Sequence, residues 1–270
     1  MSQQIESKID ALNNTVRAMK RVSVAVSGGV DSMTLAYVAH NELGNNATMF
    51  HAISPAVPPE ATQRVHRHAN LFGWTLKTID AGEFSDPQYL QNPVNRCYFC
   101  KFNLYDAIRS RTDSAILSGT NLDDLADYRP GLQAAESFRV RHPYVEGQID
   151  KAMVREIAKT FELGEMAELP ASPCLSSRIE TGIPVDAQKL RLVHAIERCV
   201  NESLPAATVR CRFRRSGLVI ELDKEAYEKT FPGRVASLRS ELGRICADYG
   251  YIGDVDFDIY QMGSAFLRDQ

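Results

Sequence analysis

The feature that most constrains the fold is an apolar run that passes through a glycine-rich turn into a helical pattern. Residues 21–26 (RVSVAV) have the β-branched composition of a buried strand. The turn that follows, Ser27 to Ser32, has the sequence S-G-G-V-D-S. Successive glycines let backbone N–H groups approach an anion, and the next helix directs its positive end into the same pocket. This order predicts a phosphate-binding turn; an ordinary serine-capped turn is the alternative.

The residues of this turn have distinct expected roles. The chain lacks a Gly-Lys-Ser/Thr sequence here, so the turn is not the Walker-type loop of kinases and GTPases. Ser27 and Ser32 add hydroxyl donors to the N–H groups around Gly28 and Gly29. A carboxylate repels a bare phosphate, so we expect Asp31 to interact with a metal ion or with a helix N–H group.

Short apolar runs alternate with helical patterns along the first 170 residues. After 21–26, strands are predicted at 47–54, 75–80 and 115–118. Helices are predicted at 5–19, 33–41, 60–72, 101–111 and 151–161. This alternation predicts an α/β fold, with a parallel sheet and helices on both faces. Phosphate ligands bind such sheets at the carboxyl ends of the strands, which is where the turn falls.

The pattern changes after residues 170–173. A helix at 186–201 is followed by a predicted hairpin around Ser216-Gly217, a mostly helical stretch and a last strand at 254–260. This is an α+β pattern without βαβ units. We therefore predict two domains, residues 1–172 and a smaller α+β domain at 173–270.

Composition excludes some classes of function. The 31 Lys and Arg residues nearly balance 34 Asp and Glu residues, which disfavours a protein built to wrap nucleic acid. No apolar stretch approaches the ~20 residues that span a bilayer, and residues 1–20 lack the apolar core of a signal peptide. We expect a cytoplasmic protein with no membrane partner.

Three of the six cysteines stand in patterns that suggest chemistry. Cys97 and Cys100 form a C-x-x-C just before a predicted helix, and Cys174 lies in the segment P-C-L-S-S-R. Four interpretations remain open: apolar packing, a redox dithiol, a zinc site completed by a residue such as His142, and an iron–sulfur cluster. Three cysteines would leave one iron of a cluster open to bind sulfide. The other three are interpreted as packing residues: Cys199, Cys211 and Cys246.

The predicted hairpin contains a basic strand. Side chains alternate between the two faces of a strand, so Arg210, Arg212 and Arg214 share one face. Guanidinium groups match phosphate and carboxylate bidentately, which predicts an anionic ligand; a solvated edge strand is the alternative. Arg129 and Arg178 could likewise meet a substrate or brace loops.

Taken in order, five motifs resemble the LarE-type ATP-dependent sulfur transferases of the PP-loop ATP pyrophosphatase superfamily. They are S-G-G-V-D-S, N-R-C-Y-F-C-K, G-T-N-L-D-D, D-Y-R-P-G-L and P-C-L-S-S-R-I. The resemblance implies an enzyme that adenylates a carboxylate of a pyridinium dicarboxylate mononucleotide with release of pyrophosphate. It then converts the carboxylate to a thiocarboxylate, in the biosynthesis of the nickel-pincer nucleotide cofactor. It also implies a homo-oligomer assembled through the second domain.

The resemblance also implies roles for individual residues. ATP and its Mg²⁺ would be held by Ser27, Gly28, Gly29, Asp31, Ser32, Gly119, Thr120, Asp123, Asp124 and Lys151. For Asp123 and Asp124 a helix cap is the alternative, and for Lys151 a surface position. Arg210 and Arg212 would hold the substrate phosphate, near the acidic Glu221, a further candidate for Mg²⁺. A [4Fe-4S] cluster would be held by Cys97, Cys100 and Cys174, and the expected catalytic residues are Cys174 and Asp31.

Three other functions remain open. A tRNA-thiolating enzyme of the same superfamily would bind tRNA in a salt-sensitive way. A non-catalytic nucleotide- or metal-binding module would bind ATP without releasing pyrophosphate. An amide-forming ATP pyrophosphatase would release pyrophosphate but tolerate loss of all three cysteines.

Overall fold

The computed structural model describes residues 3–126, 130–170, 173–204, 206 and 208–265. The chain divides into two compact units, Met1–Glu83 with Cys97–Ser172, and Phe84–Arg96 with Pro173–Gln270. Arg129 and the first residues of the D-Y-R-P-G-L motif lie outside the described residues, as do residues 171–172 at the predicted domain boundary.

A four-stranded, all-parallel sheet forms the centre of the first unit. Its strands are β1 (Val22–Ala25), β2 (Ala47–Ala52), β3 (Thr75–Ile79) and β4 (Ala115–Leu117). They lie in the order β3-β2-β1-β4 across the sheet. The helices of this unit are α1 (Gln3–Ala18), α2 (Val30–Leu43), α3 (Pro59–Phe72), α5 (Arg96–Arg109), α6 (Pro130–Ser137), α7 (Pro143–Glu146) and α8 (Lys151–Thr160). The α/β prediction is confirmed at the level of a parallel sheet surrounded by helices.

Two hydrophobic cores cover the two faces of this sheet, because alternate strand residues point to opposite sides. On one face Val22 and Val24 pack with residues of α1, α2, α3 and α8. On the other face Ala25 and Phe50 pack with Ile108 and its neighbours from α5 and α6. Burial on both faces explains why β1 is uniformly apolar apart from Ser23, whose hydroxyl hydrogen-bonds that of Ser114 at 2.8 Å.

The strand order places a topological switch point between β1 and β4. The chain leaves β1 towards β2 and β3 on one side, then returns to form β4 on the other side. The loops that follow β1 and β4 therefore face each other at the carboxyl edge, the usual ligand position in open α/β sheets.

The second unit combines a three-stranded sheet with helices. The elements of this unit are α4 (Pro87–Leu90), α9 (Ala187–Ser203), β5 (Val209–Arg214), β6 (Gly217–Leu222), α10 (Val235–Asp248) and β7 (Val255–Ile259). The strands lie in the order β5-β6-β7; β5 and β6 are antiparallel, and β7 is parallel to β6. A π-helical turn (Ala226–Thr230) and a 3₁₀ turn (Phe231–Gly233) precede α10.

Residues 84–96 join this second unit, although in sequence they lie between the two segments of the first unit. Asn92 explains the attachment, because its buried side-chain amide donates to the carbonyl oxygens of Glu180 at 2.8 Å and Ile183 at 2.9 Å. Tyr89, also buried, hydrogen-bonds Ser176 at 2.6 Å between hydroxyl groups.

One helix begins earlier than the sequence predicts. The expected helix at 101–111 starts at Arg96, so Cys97 and Cys100 lie inside the first turns of α5 instead of before it. Aromatic packing compensates for the low helix propensity of this stretch, since the Tyr98 ring lies 5.9 Å from that of Phe102. Across the described part of the chain, helices are too short or too polar to cross a membrane.

Candidate functional site

The predicted phosphate turn lies directly after β1, and hydrogen bonds of Ser32 close it. The Ser32 hydroxyl accepts from the backbone N–H of Ser27 at 3.0 Å and donates to the carbonyl oxygen of Gly29 at 3.2 Å. Gly29 is the residue before α2 and has no side chain to cap that helix. The first N–H groups of α2 therefore remain available at the positive end of the helix.

Glycine is required at the tip of this turn for two reasons. Gly28 has a φ of +86°, in the left-handed region that favours glycine. A Cβ atom at Gly28 would also lie 2.9 Å from the carbonyl oxygen of Ala61 in α3.

The loop after β4 packs against the same helix end. A Cβ atom at Gly119 would lie 2.8 Å from the backbone nitrogen of Ser32 and 2.9 Å from the carbonyl carbon of Asp31. Only a residue without a side chain allows the loops after β1 and β4 to approach this closely. The structure thus brings together two predicted motifs that are almost 90 residues apart.

Asp31 is the residue on which this site converges. One carboxylate oxygen, Oδ1, accepts from the side-chain amide of Asn121 at 3.1 Å. The other, Oδ2, forms an ion pair with Nζ of Lys151 at the start of α8. The backbone carbonyl of Asp31 accepts from the hydroxyl of Tyr144 at 2.9 Å, and burial raises the pKa of that hydroxyl well above its usual value.

The acidic pair of the G-T-N-L-D-D motif has two different environments. Asp124 completes a capping box, because its carboxylate accepts from the Asn121 N–H at 3.2 Å while the Asn121 side chain accepts from the Asp123 N–H at 3.0 Å. Asp123 accepts from the backbone N–H of Lys151 at 3.1 Å. Asp124 is therefore a helix-capping residue, which is the alternative to Mg²⁺ binding considered for this pair. A role in Mg²⁺ binding remains a prediction for both Asp123 and Asp124.

A polar chain lies beside this loop. The hydroxyl of Thr120 is 2.9 Å from that of Ser118, which is 2.8 Å from Nδ1 of His142. Burial lowers the pKa of His142, so the ring is neutral at pH 7. His142, the residue considered for a zinc site, is thus hydrogen-bonded to a serine.

The three patterned cysteines are distributed over both units. Cys97 and Cys100 are partly exposed and, at a spacing of three in α5, share one helix face. Cys174 belongs to the second unit and is exposed, just before the 3₁₀ helix Leu175–Arg178. Within the ranges that the structure describes, no three His, Cys, Asp or Glu side chains are grouped as a metal site. The cluster therefore remains a prediction.

The basic strand of the second unit is not a solvated edge. Arg212 is 4% exposed, and its guanidinium donates to Glu221 at 2.9 Å and to the carbonyl oxygen of Ser177 at 3.1 Å. Glu221, 1% exposed, also accepts from Arg214 at 2.5 Å and from the hydroxyl of Ser264 at 2.6 Å. Both oxygens of Glu221 are thus occupied by protein donors, and a part in Mg²⁺ binding remains a prediction.

A second buried ion pair anchors the P-C-L-S-S-R segment. Arg178 binds Glu197 of α9 bidentately, at 2.9 and 3.1 Å, and donates to the carbonyl oxygen of Pro173 at 2.9 Å. The same carboxylate accepts from the backbone N–H of Cys211 at 2.9 Å. Arg178 therefore braces this loop, one of the two roles considered for it.

Arg210 lies on the same face of β5 as Arg212 and Arg214, and its side chain is half-buried. Burial, followed by the positive charge of Arg178, lowers its pKa, though a guanidinium remains charged at pH 7. An anionic ligand of this strand face remains a prediction for Arg210 and Arg212.

Sequence reasoning missed three residues that shape these sites. Asn121 stands inside a recognised motif, but the motif was interpreted through its aspartates. No local sequence pattern marks Arg64 or Glu197 as part of a site, because each contacts a segment distant in sequence. Arg64 donates to the carbonyl oxygen of Gly28, and Glu197 accepts from Arg178.

Comparison with known proteins identifies relatives along almost the whole chain. An uncharacterized protein of Synechocystis is 35% identical over 264 residues, 96% of this chain and 97% of the relative. One from Methanocaldococcus jannaschii is 25% identical over 236 residues, 86% of this chain and 87% of the relative. The pyridinium-3,5-bisthiocarboxylic acid mononucleotide synthase of Lactiplantibacillus plantarum is 29% identical over 223 residues, 81% of this chain and 80% of the relative. No protein-family model matches the chain.

Proposed function

We propose that this chain, which belongs to the same family as the Synechocystis protein, is a LarE-like enzyme that inserts sulfur into a pyridinium dicarboxylate mononucleotide at the expense of ATP. The L. plantarum relative is named for a product with two thiocarboxylate groups on a pyridinium ring. One observation carries the proposal: the loops after β1 and β4 meet around Asp31, at the topological switch point of a parallel sheet. Such a position suits the polyphosphate of a nucleotide.

The first half of the proposed reaction activates a carboxylate. A carboxylate oxygen is a poor leaving group, and transfer of AMP from ATP turns it into a good one. The bond between the α and β phosphates breaks, and pyrophosphate departs with the electron pair. Backbone N–H groups between Ser27 and Ser32 would bind the departing charge, together with the positive end of α2 and the ammonium group of Lys151.

The donor set fits a magnesium ion that arrives with ATP. Mg²⁺ takes one or two carboxylates and completes its octahedron with phosphate oxygens and water. Asp31 and Asp123 supply carboxylates at this edge, and Asp123 uses only Oδ2 in its bond to Lys151. When bound, the ion would neutralise charge on the departing pyrophosphate.

The second half of the proposed reaction delivers sulfur. Hydrosulfide attacks the carbonyl carbon of the acyl adenylate and loses its proton to solvent, and AMP leaves with the former carboxylate oxygen. Cys97, Cys100 and Cys174 would be the thiolate ligands of an iron–sulfur cluster that holds this sulfide. A cluster held by three cysteines would supply an open iron for sulfide.

The second unit would bind the substrate's anionic groups. Arg210 is half-buried on the strand face that also presents Arg212 and Arg214. Guanidinium groups bind phosphate bidentately, so Arg210 and Arg212 would together hold a substrate phosphate, as the resemblance implies.

The test is an anaerobic reaction of the full chain with MgATP, a sulfide source and the dicarboxylate mononucleotide. Pyrophosphate release and a product in which sulfur replaces oxygen, detected by mass spectrometry, would support the proposal. The matched variants are Cys174→Ala and Cys199→Ala, of which only the first should abolish thiocarboxylate formation. ATP binding without pyrophosphate release would favour a non-catalytic module.

Two further outcomes would replace the proposal by a related one. Pyrophosphate release that survives loss of Cys97, Cys100 and Cys174 together would favour amide formation. Thiolated tRNA as product would favour the tRNA-thiolating class. Iron and acid-labile sulfide analysis of anaerobic protein tests the cluster separately, and stoichiometric zinc in colourless protein would contradict it.

A further inference from the structure

Helix α3 contacts the phosphate turn at its tip. Nη1 of Arg64 donates to the carbonyl oxygen of Gly28 at 2.8 Å. One turn earlier in α3, the carbonyl oxygen of Ala61 lies only 2.9 Å from the position that a Cβ atom of Gly28 would take. Two residues on one face of α3 therefore define the position of a single peptide group in the turn.

This peptide group joins Gly28 to Gly29, and its orientation decides where an N–H points. In a trans peptide the carbonyl and the N–H point in opposite directions, and the described residues contain no cis bond. While the carbonyl of Gly28 is held by Arg64, the N–H of Gly29 is directed to the other side, 3.5 Å from the hydroxyl of Ser27. This N–H therefore points back towards the Ser27 side chain of the predicted phosphate turn.

Nothing in the glycines themselves selects this orientation. Gly28 has φ +86° and Gly29 has φ −84°, and glycine adopts either sign of φ with little penalty. An inverted peptide would present a carbonyl oxygen to the anion and remove a donor. A charge-assisted hydrogen bond from outside the turn is a sufficient reason for the observed orientation.

Arg64 lies among charged neighbours in α3. Its pKa is lowered, first by burial and then by the charge of Arg67, and raised to a smaller extent by the charge of Glu60. Arg67, on the same helix, is exposed and paired with Glu165. The two arginines thus differ in their contacts despite their proximity: Arg64 binds the turn, and Arg67 binds a surface carboxylate.

We propose that Arg64 is a positioning residue for the phosphate turn, which it holds with the N–H of Gly29 directed at the bound anion. The anion is the pyrophosphate end of ATP, and to this extent the inference rests on the proposed function. Arg64 acts through the Gly28 carbonyl and does not itself have to touch the nucleotide.

The test compares variants of the full chain by calorimetric titration with inorganic pyrophosphate and with MgATP. Arg64→Met should weaken pyrophosphate binding roughly tenfold, as loss of one charge-assisted hydrogen bond implies. Arg64→Lys keeps a charged donor and should recover most of the affinity. Arg67→Met is the matched control and should bind as the wild type does. Equal affinity of wild type and Arg64→Met would overturn the proposal.

A spectroscopic readout separates positioning from general stability. In protein labelled with ¹⁵N-glycine, the Gly29 amide should shift in Arg64→Met even without ligand, while glycines distant from the turn should not. Gly29→Ala assigns the signal, because a Cβ atom there meets nothing closer than 3.7 Å. An unchanged Gly29 signal would overturn the inference.

Failure of the proposed function would look different. Wild type that binds neither pyrophosphate nor ATP would contradict the nucleotide site, whereas the ligand-free Gly29 shift would still decide whether Arg64 holds the peptide. If Arg64→Met does not fold, Arg64→Gln replaces it in both the calorimetric titration and the ¹⁵N-glycine spectrum.

Discussion

Lys151 and Asp31 form an ion pair at the carboxyl edge of the first unit's sheet, although 120 residues separate them in sequence. Asp31 lies in the first turn of α2, where an uncompensated carboxylate would repel the phosphates that the turn is proposed to bind. Lys151 cancels this charge and adds hydrogen-bond donors at the same place. Asn121 holds the second oxygen of Asp31, so the carboxylate cannot rotate away from the lysine.

Loss of Lys151 should therefore be more damaging than loss of a surface lysine. Lys151→Met leaves the Asp31 carboxylate beside the polyphosphate, and we expect pyrophosphate release to fall roughly 100-fold. The control is Lys159→Met in the same helix, where Lys159 forms only exposed ion pairs. Initial rates of pyrophosphate release with MgATP and substrate would measure both. Comparable rates for the two variants would contradict a role for Lys151 in the site.

Gly119 should tolerate no side chain. In Gly119→Ala the new methyl group would collide with the backbone of Asp31 and Ser32, which cannot yield as a flexible side chain could. We expect the free energy of unfolding in urea to fall by about 1–3 kcal/mol. Gly243→Ala, in the interior of α10 with nothing within 4 Å, should instead gain up to about 1 kcal/mol. A Gly119→Ala protein as stable as the wild type would show that the two loops do not touch.

Local patterns predicted most elements of both sheets, because strand and helix periods and the glycine turn are properties of neighbouring residues. The start of α5 was misplaced since Cys97 to Cys100 have low helix propensity; Tyr98 packs on Phe102 of the same helix, whose ring contacts that of Phe138 after α6 at 5.0 Å. The membership of residues 84–96 in the second unit was also missed. It depends on the side chain of Asn92, which reaches carbonyl groups almost 90 residues away.

The candidate sites were predicted as motifs but not as contacts. That Ser27 to Ser32 forms an anion turn could be inferred from its own sequence. The contact of Arg64 with this turn and that of Glu197 with Arg178 depend on how whole elements pack. No sequence pattern near any of these residues predicts either contact.

Acid should destabilise the first unit through His68. This ring is 5% exposed, stacks on Phe72 at 5.7 Å, and neither nitrogen has a hydrogen-bond partner among the residues the structure describes. Burial, then the charges of Arg67 and Arg64, lowers its pKa. Because the unfolded chain binds the proton more readily, stability is fully present above pH ~6.5 and is lost as pH falls below that value.

The variant His68→Phe should flatten this dependence. Urea unfolding between pH 5 and pH 8 should show a smaller slope below pH ~6.5 for His68→Phe than for the wild type. His66→Phe, at an exposed position of the same helix, is the control and should keep the wild-type slope. Identical slopes in all three proteins would exclude His68 as a source of acid sensitivity.

The two arginines that hold Glu221 should differ in their effect on stability. Arg212→Met leaves a buried carboxylate with one ion-pair partner fewer and removes the bond to Ser177, so we expect the loss of about 3–5 kcal/mol typical of a broken buried pair. The Arg214 side chain is 23% exposed, and Arg214→Met should have a clearly smaller effect. Thermal and urea unfolding would measure both, and equal losses would contradict this distinction.

Cys199 should be a slow thiol, because burial and, after it, Glu241 raise the pKa of its Sγ. Its pKa is raised to about 11, first by burial and then by the hydrogen bond that its Sγ donates to the Glu241 carboxylate at 3.4 Å. The thiolate is the form that alkylates, so at pH 8 Cys199 should react with iodoacetamide far more slowly than the exposed Cys174. Glu241→Gln removes the neighbouring charge and should speed alkylation of Cys199 roughly threefold to tenfold, as followed by peptide mass spectrometry. Glu202→Gln, whose carboxylate acts only through its charge and not by a hydrogen bond, should give a smaller change. If the two variants alkylate at the wild-type rate, burial alone controls this thiol.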